Sequence, residues 1–235
     1  MTITNQIKDL LFPRRCAICD DVLAHGRKYI CRECRPKIVY IKEPYCMKCG
    51  KALSEVKEYC NDCLNRSHMF IQGSAVFDYG AVAGSLYRFK NKGRVEYAEF
   101  YARALYSEKA ELIRALSPDA FIPVPIHLSK LKSRGYNQSE IISKELSKYT
   151  SIPTNTTLIT RVKKTIPLKN LGLRERQNNL KNAFKVNDNG VKLKTIIIID
   201  DIYTTGSTMD AMASAILEVM NVDIYFLTVT IGRGI

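Results

Sequence analysis

Long apolar runs are missing from these 235 residues. None approaches the ~20 consecutive apolar positions that a membrane helix needs. The opening MTITNQIKDLLFPRRC has an apolar patch too short for a secretory signal, and its basic residues mostly follow that patch. A cytoplasmic chain is the resulting expectation, and in that compartment disulfides are rare. Cysteine is absent beyond Cys63, so whatever the thiols do is confined to the first part of the chain. Histidine occurs only three times. Acidic residues are also short, 23 against 36 basic ones, and the net charge of +13 favours an acidic partner such as nucleic acid or a phosphorylated metabolite. The surplus is uneven: residues 126–185 hold 13 basic and 3 acidic side chains, a local excess of +10. With 46% hydrophobic residues the chain is not a largely disordered one. Its length suits one α/β domain with a small additional module.

All eight cysteines fall into four Cys-x-x-Cys pairs: Cys16 and Cys19, Cys31 and Cys34, Cys46 and Cys49, Cys60 and Cys63. Two residues between thiolates let a tight turn aim both sulfurs at one tetrahedral ion, and two such turns close the shell. Eleven residues separate Cys19 from Cys31 and ten separate Cys49 from Cys60, a near-repeat that reads as two tandem zinc ribbons. Pairing of the first turn with the third and the second with the fourth is the alternative. A shell of four thiolates leaves no open position, so the metal is structural, and a short module with little core needs it to fold. Gly50, directly after Cys49, suits a left-handed turn. His25 and His68 are read as surface residues rather than ligands. Arg14, Arg15, Arg27, Lys28, Arg32, Arg35 and Lys37 interleave with the first ribbon. The expected division is residues 1–68 for the ribbons and 69–235 for the main domain.

Beyond Cys63, apolar runs alternate with helical patterns. Ser74 to Gly80 reads as a strand entering a turn. From Val95 to Leu116, the residues Tyr97, Phe100, Tyr101, Ala104, Leu105, Leu112 and Leu116 recur at helical spacing. Ala120 to Ile126 is a short strand broken by prolines, and Ser139 to Tyr149 a helix. Thr195 to Ile199 has the continuous apolar character of a parallel strand buried on both faces. Ser207 to Met220 is a helix and Val222 to Ile231 a last strand. The alternation predicts an α/β domain with helices on both faces of a parallel sheet.

The segment TIIIIDDIYTTGSTMD carries the chemistry. A buried strand ends in Asp200 and Asp201, and a loop of small hydroxyl residues then opens a helix. In α/β folds ligands bind at the carboxyl ends of parallel strands. The loop's N–H groups and the helix N-terminus suit a phosphate. Thr204, Thr205, Ser207 and Thr208 add hydroxyl donors, and Gly206 lets the backbone approach. Carboxylates beside such a site repel phosphate but accept hydrogen bonds from sugar hydroxyls.

This segment resembles the phosphoribosyl pyrophosphate signature of type I phosphoribosyltransferases. With it, Asp78-Tyr79-Gly80 followed by Lys90, the stretch VPIHLSKLKSRGYNQSE, the stretch Arg161 to Phe184 and the cysteine module resemble the ComF family of competence-related proteins. That resemblance spans nearly the whole chain. It implies a parallel-sheet type I phosphoribosyltransferase fold behind a Cys-rich zinc-ribbon module. It implies further that Asp200 and Asp201 bind ribose hydroxyls and that Thr204 to Thr208 hold the 5′-phosphate. Val124, Pro125, Ile126 and His127 would form the pyrophosphate loop, Lys130 and Arg134 its charge partners, with Mg2+ accompanying the ligand. His127 is there a loop residue rather than a base. Arg161 to Lys181 resembles a loop closing over the site, offering Arg161, Lys163, Lys164, Arg174 and Arg176 to phosphates. Leu168 stands where the family tends to have Gln, a departure bearing on that loop's polar contacts.

Two functions follow from the resemblance and the charge. One is a DNA-uptake factor that binds single-stranded DNA and phosphoribosyl pyrophosphate and acts with a DNA helicase, its phosphoribosyl site being regulatory or catalytic. Tyr87, Phe89 and Tyr136 are candidates for base stacking there, with core packing as the other reading. The other is a metabolic phosphoribosyltransferase acting on a small nucleophile. No base-binding hood, glutaminase site or N-terminal catalytic cysteine is recognisable.

Overall fold

The computed structural model describes residues 13–24, 26, 28–163, 182–187 and 190–232. His25, Arg27 and most of the stretch expected to close over the site, including Lys164, Leu168, Arg174 and Arg176, lie outside the described residues. The centre is a four-stranded, all-parallel sheet with strands β1 (Gln72–Asp78), β2 (Ala120–Pro123), β5 (Thr195–Tyr203) and β6 (Asp223–Ile231) in the order β1-β6-β5-β2. A separate antiparallel ribbon pairs β3 (Ile159–Arg161) with β4 (Phe184–Val186). Ile198 of β5 lies in register between Ile122 of β2 and Phe226 of β6. The four isoleucines Ile196 to Ile199 are fully buried. Each contributes about 2 kcal/mol by leaving water, which holds this strand in the middle of the sheet.

Side-chain alternation along β5 sends Ile196 and Ile198 to one core and Ile197 and Ile199 to the other. Beyond the single turn α1 (Asn61–Leu64) of the second ribbon, helices α2 (Tyr79–Asn91), α3 (Tyr97–Leu116) and α5 (Gln138–Thr150) supply the second core. Helix α6 (Ser207–Leu217) supplies the first through Met209, Met212, Ala213 and Ile216. The expected layering is therefore observed, with two local differences. The turn expected after Asp78 is instead the start of α2, because the Asp78 carboxylate accepts from Gly80 N–H at 2.8 Å and caps it. Strand β5 runs on through both aspartates to Tyr203, paired with β6 as far as Ile231.

The cysteines form two clusters, Cys16, Cys19, Cys31, Cys34 and Cys46, Cys49, Cys60, Cys63, each with its sulfurs within 4.8 Å of one another. The pairing is thus sequential rather than crossed. Cys19 and Cys31 sulfurs stand 3.8 Å apart, as do those of Cys49 and Cys60. A tetrahedron with ~2.3 Å metal–sulfur bonds has edges of about 3.8 Å, so both clusters fit a structural zinc ion. In the second cluster, hydrogen bonds from the Cys49 and Cys63 thiols hold Cys46 far below the usual thiol range, while Cys49 is pushed far above it, chiefly by Cys46. Gly50 takes the expected left-handed turn at φ 75°, and Asp20 takes the same role in the first ribbon at φ 72°.

The ribbons grip opposite faces of the sheet. Asp20 pairs with Arg94 at 2.8 Å and Tyr29 donates to Glu99 at 2.8 Å, docking the first ribbon on α3 and the loop before it. Cys46, Cys49 and Cys60 of the second belong to the same core as Phe70, Tyr203 and Phe226 on the α6 side. Metal analysis of the purified chain should find two zinc ions, and Cys31→Ser or Cys60→Ser should each leave one. Cys60→Ser should lower the melting temperature more, since its ribbon is part of the main core; equal losses would contradict that packing.

Candidate functional site

The carboxyl end of β5 places Asp200 and Asp201 beside one another. Asp200 Oδ1 accepts from the Ser139 hydroxyl at 2.7 Å and from Asp201 N–H at 2.9 Å. Asp201 is buried and ion-paired with Lys90, which comes from the last turn of α2. Desolvation by the surrounding protein, and then the Asp201 charge, push the Asp200 carboxyl up to about 7. Two carboxylates on adjacent residues thus share a site where a cation or a hydroxyl donor is favoured.

After β2 the chain leaves the sheet as an irregular loop, Val124 to His127, tied to β5 by Val124 N–H donating to Ile199 O at 2.9 Å. Asn137 holds this loop from the start of α5, donating to Val124 O at 3.0 Å while its own oxygen accepts from Ser139 N–H. One helix N-terminus therefore fixes both the loop and Asp200. His127 caps the short helix α4 (Leu128–Arg134), its Nδ1 accepting from Ser129 N–H at 3.2 Å. Lys130 on α4 is exposed but crowded on one side. Desolvation there, and next its neighbours Arg161, Arg134 and Lys90, hold its ammonium below the usual range, with Asp201 pulling the other way. Burial likewise lowers the Arg161 guanidinium, against the pull of Asp200. Lys90 and Arg134 line a cavity of about 200 Å³ with Asn91, Gly93 and Ser133. A larger cavity of about 560 Å³ lies away from the aspartates, between the first ribbon and α3.

The hydroxyl loop follows β5 directly. Thr205 and Ser207 are buried with their hydroxyls 3.0 Å apart, Thr204 is exposed, and Gly206 takes φ 81° as the residue before α6. The first turn of any helix has N–H groups without intrahelical partners, and here it follows the aspartate-bearing strand through the hydroxyl loop. An anion at the helix N-terminus and hydroxyl donors at the two carboxylates are what these groups can accommodate.

Of the residues singled out in the sequence, Lys130 lies within electrostatic reach of Arg134, Arg161 and Asp201, and Arg161 within reach of Asp200, while the Val124 to His127 loop hangs from Ile199 just before the aspartates. Three residues were not given roles by the sequence reading: Lys90 as the partner of Asp201, Ser139 as donor to Asp200, and Asn137 as the brace of the 124–127 loop. Asn137 and Ser139 carried one signal, an Asn-x-Ser step at the start of a helical pattern. His68 corrects an expectation: it is not a surface residue. Its side chain is 1% exposed and meets Asp210 of α6 at 2.9 Å, because the segment after the second ribbon folds back onto the hydroxyl loop. Among the stacking candidates, Phe89 is core and Tyr136 half-buried, its hydroxyl donating to Phe89 O; Tyr87 is exposed.

Residues 7–64 match a family model described as "Double zinc ribbon domain". The chain is 30% identical to "Competence protein F" of Haemophilus influenzae over 208 residues, 86% of this chain and 90% of that one. It is 29% identical to "DNA utilization protein YhgH" of Escherichia coli over 89% of this chain and 93% of that one. With "Competence protein ComFC" of Bacillus subtilis the identity is 30% over 80% and 78%. A purine phosphoribosyltransferase from Pyrococcus horikoshii is similar at a TM-score of 0.33 and 18% identity, over 57% of this chain and 87% of that one. Among the described residues no helix is long and apolar enough to cross a membrane. With relatives this similar over nearly their full length, the chain belongs to the ComF family of competence proteins.

Proposed function

We propose that this protein binds phosphoribosyl pyrophosphate with Mg2+ at the carboxyl end of β5, binds single-stranded DNA through the adjoining basic surface, and serves DNA uptake in natural transformation. The reading is supported by the gathering of cations on the two carboxylates, Lys90 paired with Asp201 and Lys130 and Arg161 coupled to Asp201 and Asp200, just before the hydroxyl loop in the chain. Asp200 and Asp201 accept from the ribose hydroxyls, and residues 204–208 hold the 5′-phosphate at a helix N-terminus. Val124 to His127, with Lys130, Arg134 and Arg161, take the pyrophosphate. Mg2+, a hard cation preferring oxygen, would be favoured near the Asp200 and Asp201 carboxylates and would offset the charge of the pyrophosphate. Where turnover occurs, the bond from the anomeric carbon to pyrophosphate breaks as the acceptor's nucleophile bonds to that carbon and loses its proton. Positioning and charge stabilisation then supply the catalysis.

The DNA reading is supported by the relatives named for competence and DNA utilization and by the +10 surplus between residues 126 and 185. A DNA helicase of the uptake machinery is the proposed protein partner, and the cytoplasm the proposed site of action. Residues 1–68 and 69–235 are the proposed domains.

Asp200→Asn with Asp201→Asn should abolish calorimetric binding of phosphoribosyl pyrophosphate while zinc content stays unchanged; equal binding by both proteins would dismiss the site. Replacing Lys130, Lys132 and Arg134 by Gln should weaken single-stranded DNA binding and flatten its salt dependence. Unchanged affinity at low salt would remove α4 from the DNA surface. The raised Asp200 carboxyl gives a pH prediction. Between the ordinary 3.8 and about 7 the native state holds more protons than the unfolded chain, so this group's contribution to stability falls as pH rises through that window. Asp200→Asn should therefore gain stability relative to the unaltered chain as pH rises from 3.8 to about 7 in chemical denaturation. A difference independent of pH would assign the raised carboxyl elsewhere.

A further inference from the structure

The segment joining the second ribbon to β1 reaches into the back of the hydroxyl loop. Arg66 Nη1 donates to Thr205 O at 3.1 Å. His68 Nδ1 lies 2.9 Å from Asp210 Oδ2, and Met69 N–H donates to Asp210 Oδ1 at 3.0 Å. A carboxylate only accepts, so Nδ1 carries the hydrogen. The ring stacks on Phe70 at 4.7 Å between centroids, and Phe70 packs edge-on against Phe226. His68 Nε2 is buried with no hydrogen-bond partner among the described residues. Such an atom costs stability and is tolerated where position matters more. The loop is closed against this strap. A Cβ on Gly206 would lie 2.7 Å from the Tyr203 hydroxyl and 2.8 Å from His68 Cε1.

Asp210 gives the contact a specific consequence. It sits in the first turn of α6, the end of the helix that attracts anions. A free carboxylate there competes with a phosphate for the same partial positive charge. The strap holds both of its oxygens, one on His68 and one on Met69 N–H, and turns them to the ribbon side.

We propose that Arg66 and His68 are positioning residues for the 5′-phosphate: they fix the backbone of residues 204–208 from behind and keep Asp210 occupied, making the second zinc ribbon part of the phosphate site. This rests on the reading of residues 204–208 as that site. It separates the two anionic parts of the ligand. The 5′-phosphate should depend on the strap, whereas the pyrophosphate, held from the 124–134 side, should not.

The test is calorimetric titration of the full-length, zinc-loaded protein with ribose 5-phosphate and, separately, with Mg2+-pyrophosphate. Three variants serve. His68→Phe keeps the stacked ring and loses the donor, His68→Asn keeps a donor near the Nδ1 position, and Arg66→Ala removes the bond to Thr205 without altering the core. His68→Phe and Arg66→Ala should weaken ribose 5-phosphate about tenfold and leave pyrophosphate within about twofold, with His68→Asn recovering most of the loss. Zinc content should not change. Parallel losses for both ligands, or no loss for either, would overturn the positioning role. If the unaltered protein binds pyrophosphate but not ribose 5-phosphate, the assignment of the loop fails and the inference with it.

Discussion

A parallel strand buried on both faces can present chemistry only where it leaves the sheet, and β5 is such a strand. Ile196 to Ile199 are locked between α6 on one side and the α2, α3 and α5 helices on the other, so the position of Asp200 and Asp201 is set by about four side chains' worth of burial rather than by loop contacts. Everything at the site is arranged relative to that fixed end. The Val124 loop hangs from Ile199 O, Ser139 reaches Asp200 from the start of α5, and Lys90 meets Asp201 from the end of α2. Each element contributes its terminus, where backbone groups and short polar side chains are free to face a ligand.

The electrostatics follow from the same geometry. Adjacent carboxylates in a crowded site cannot both be easily ionised, and Asp200 bears the cost in its raised titration. The cations are crowded in turn, the Lys130 ammonium being disfavoured by desolvation on its crowded side and by Arg161, Arg134 and Lys90. A raised carboxyl and disfavoured cations side by side mark this end of the sheet as the candidate site.

The ribbons are more than an appended module. The first is fastened by Asp20, which supplies a left-handed knuckle turn and also pairs with Arg94 and Tyr97. The second contributes three cysteines to the main core and a strap behind the hydroxyl loop. Its Gly50 packs so closely on the start of β1 that a Cβ there would lie 2.7 Å from Ser74 Cα. Zinc therefore organises residues that would otherwise be a loose leader, and the sheet uses them as a wall.

Local pattern was enough for the parts whose physics is local. Cys-x-x-Cys spacing dictated two four-thiolate sites, the isoleucine run dictated a doubly buried parallel strand, and Asp-Asp before a Thr-Gly-Ser-Thr loop singled out its end as the candidate site. Even the left-handed turn at Gly50 could be read, because the knuckle's geometry depends only on neighbouring residues. What lay beyond the sequence were contacts between distant segments. His68 looked like a surface residue because nothing in its neighbours shows that it meets Asp210, 142 positions away. Lys90 and Asp201, Ser139 and Asp200, and Arg66 and Thr205 are likewise pairs that only the folded sheet brings together. The sulfur pairing, sequential rather than crossed, was a choice between turns equally able to bind zinc. Spacing decides which residues can act; the packing of helices and ribbons on opposite faces of one sheet decides which of them meet.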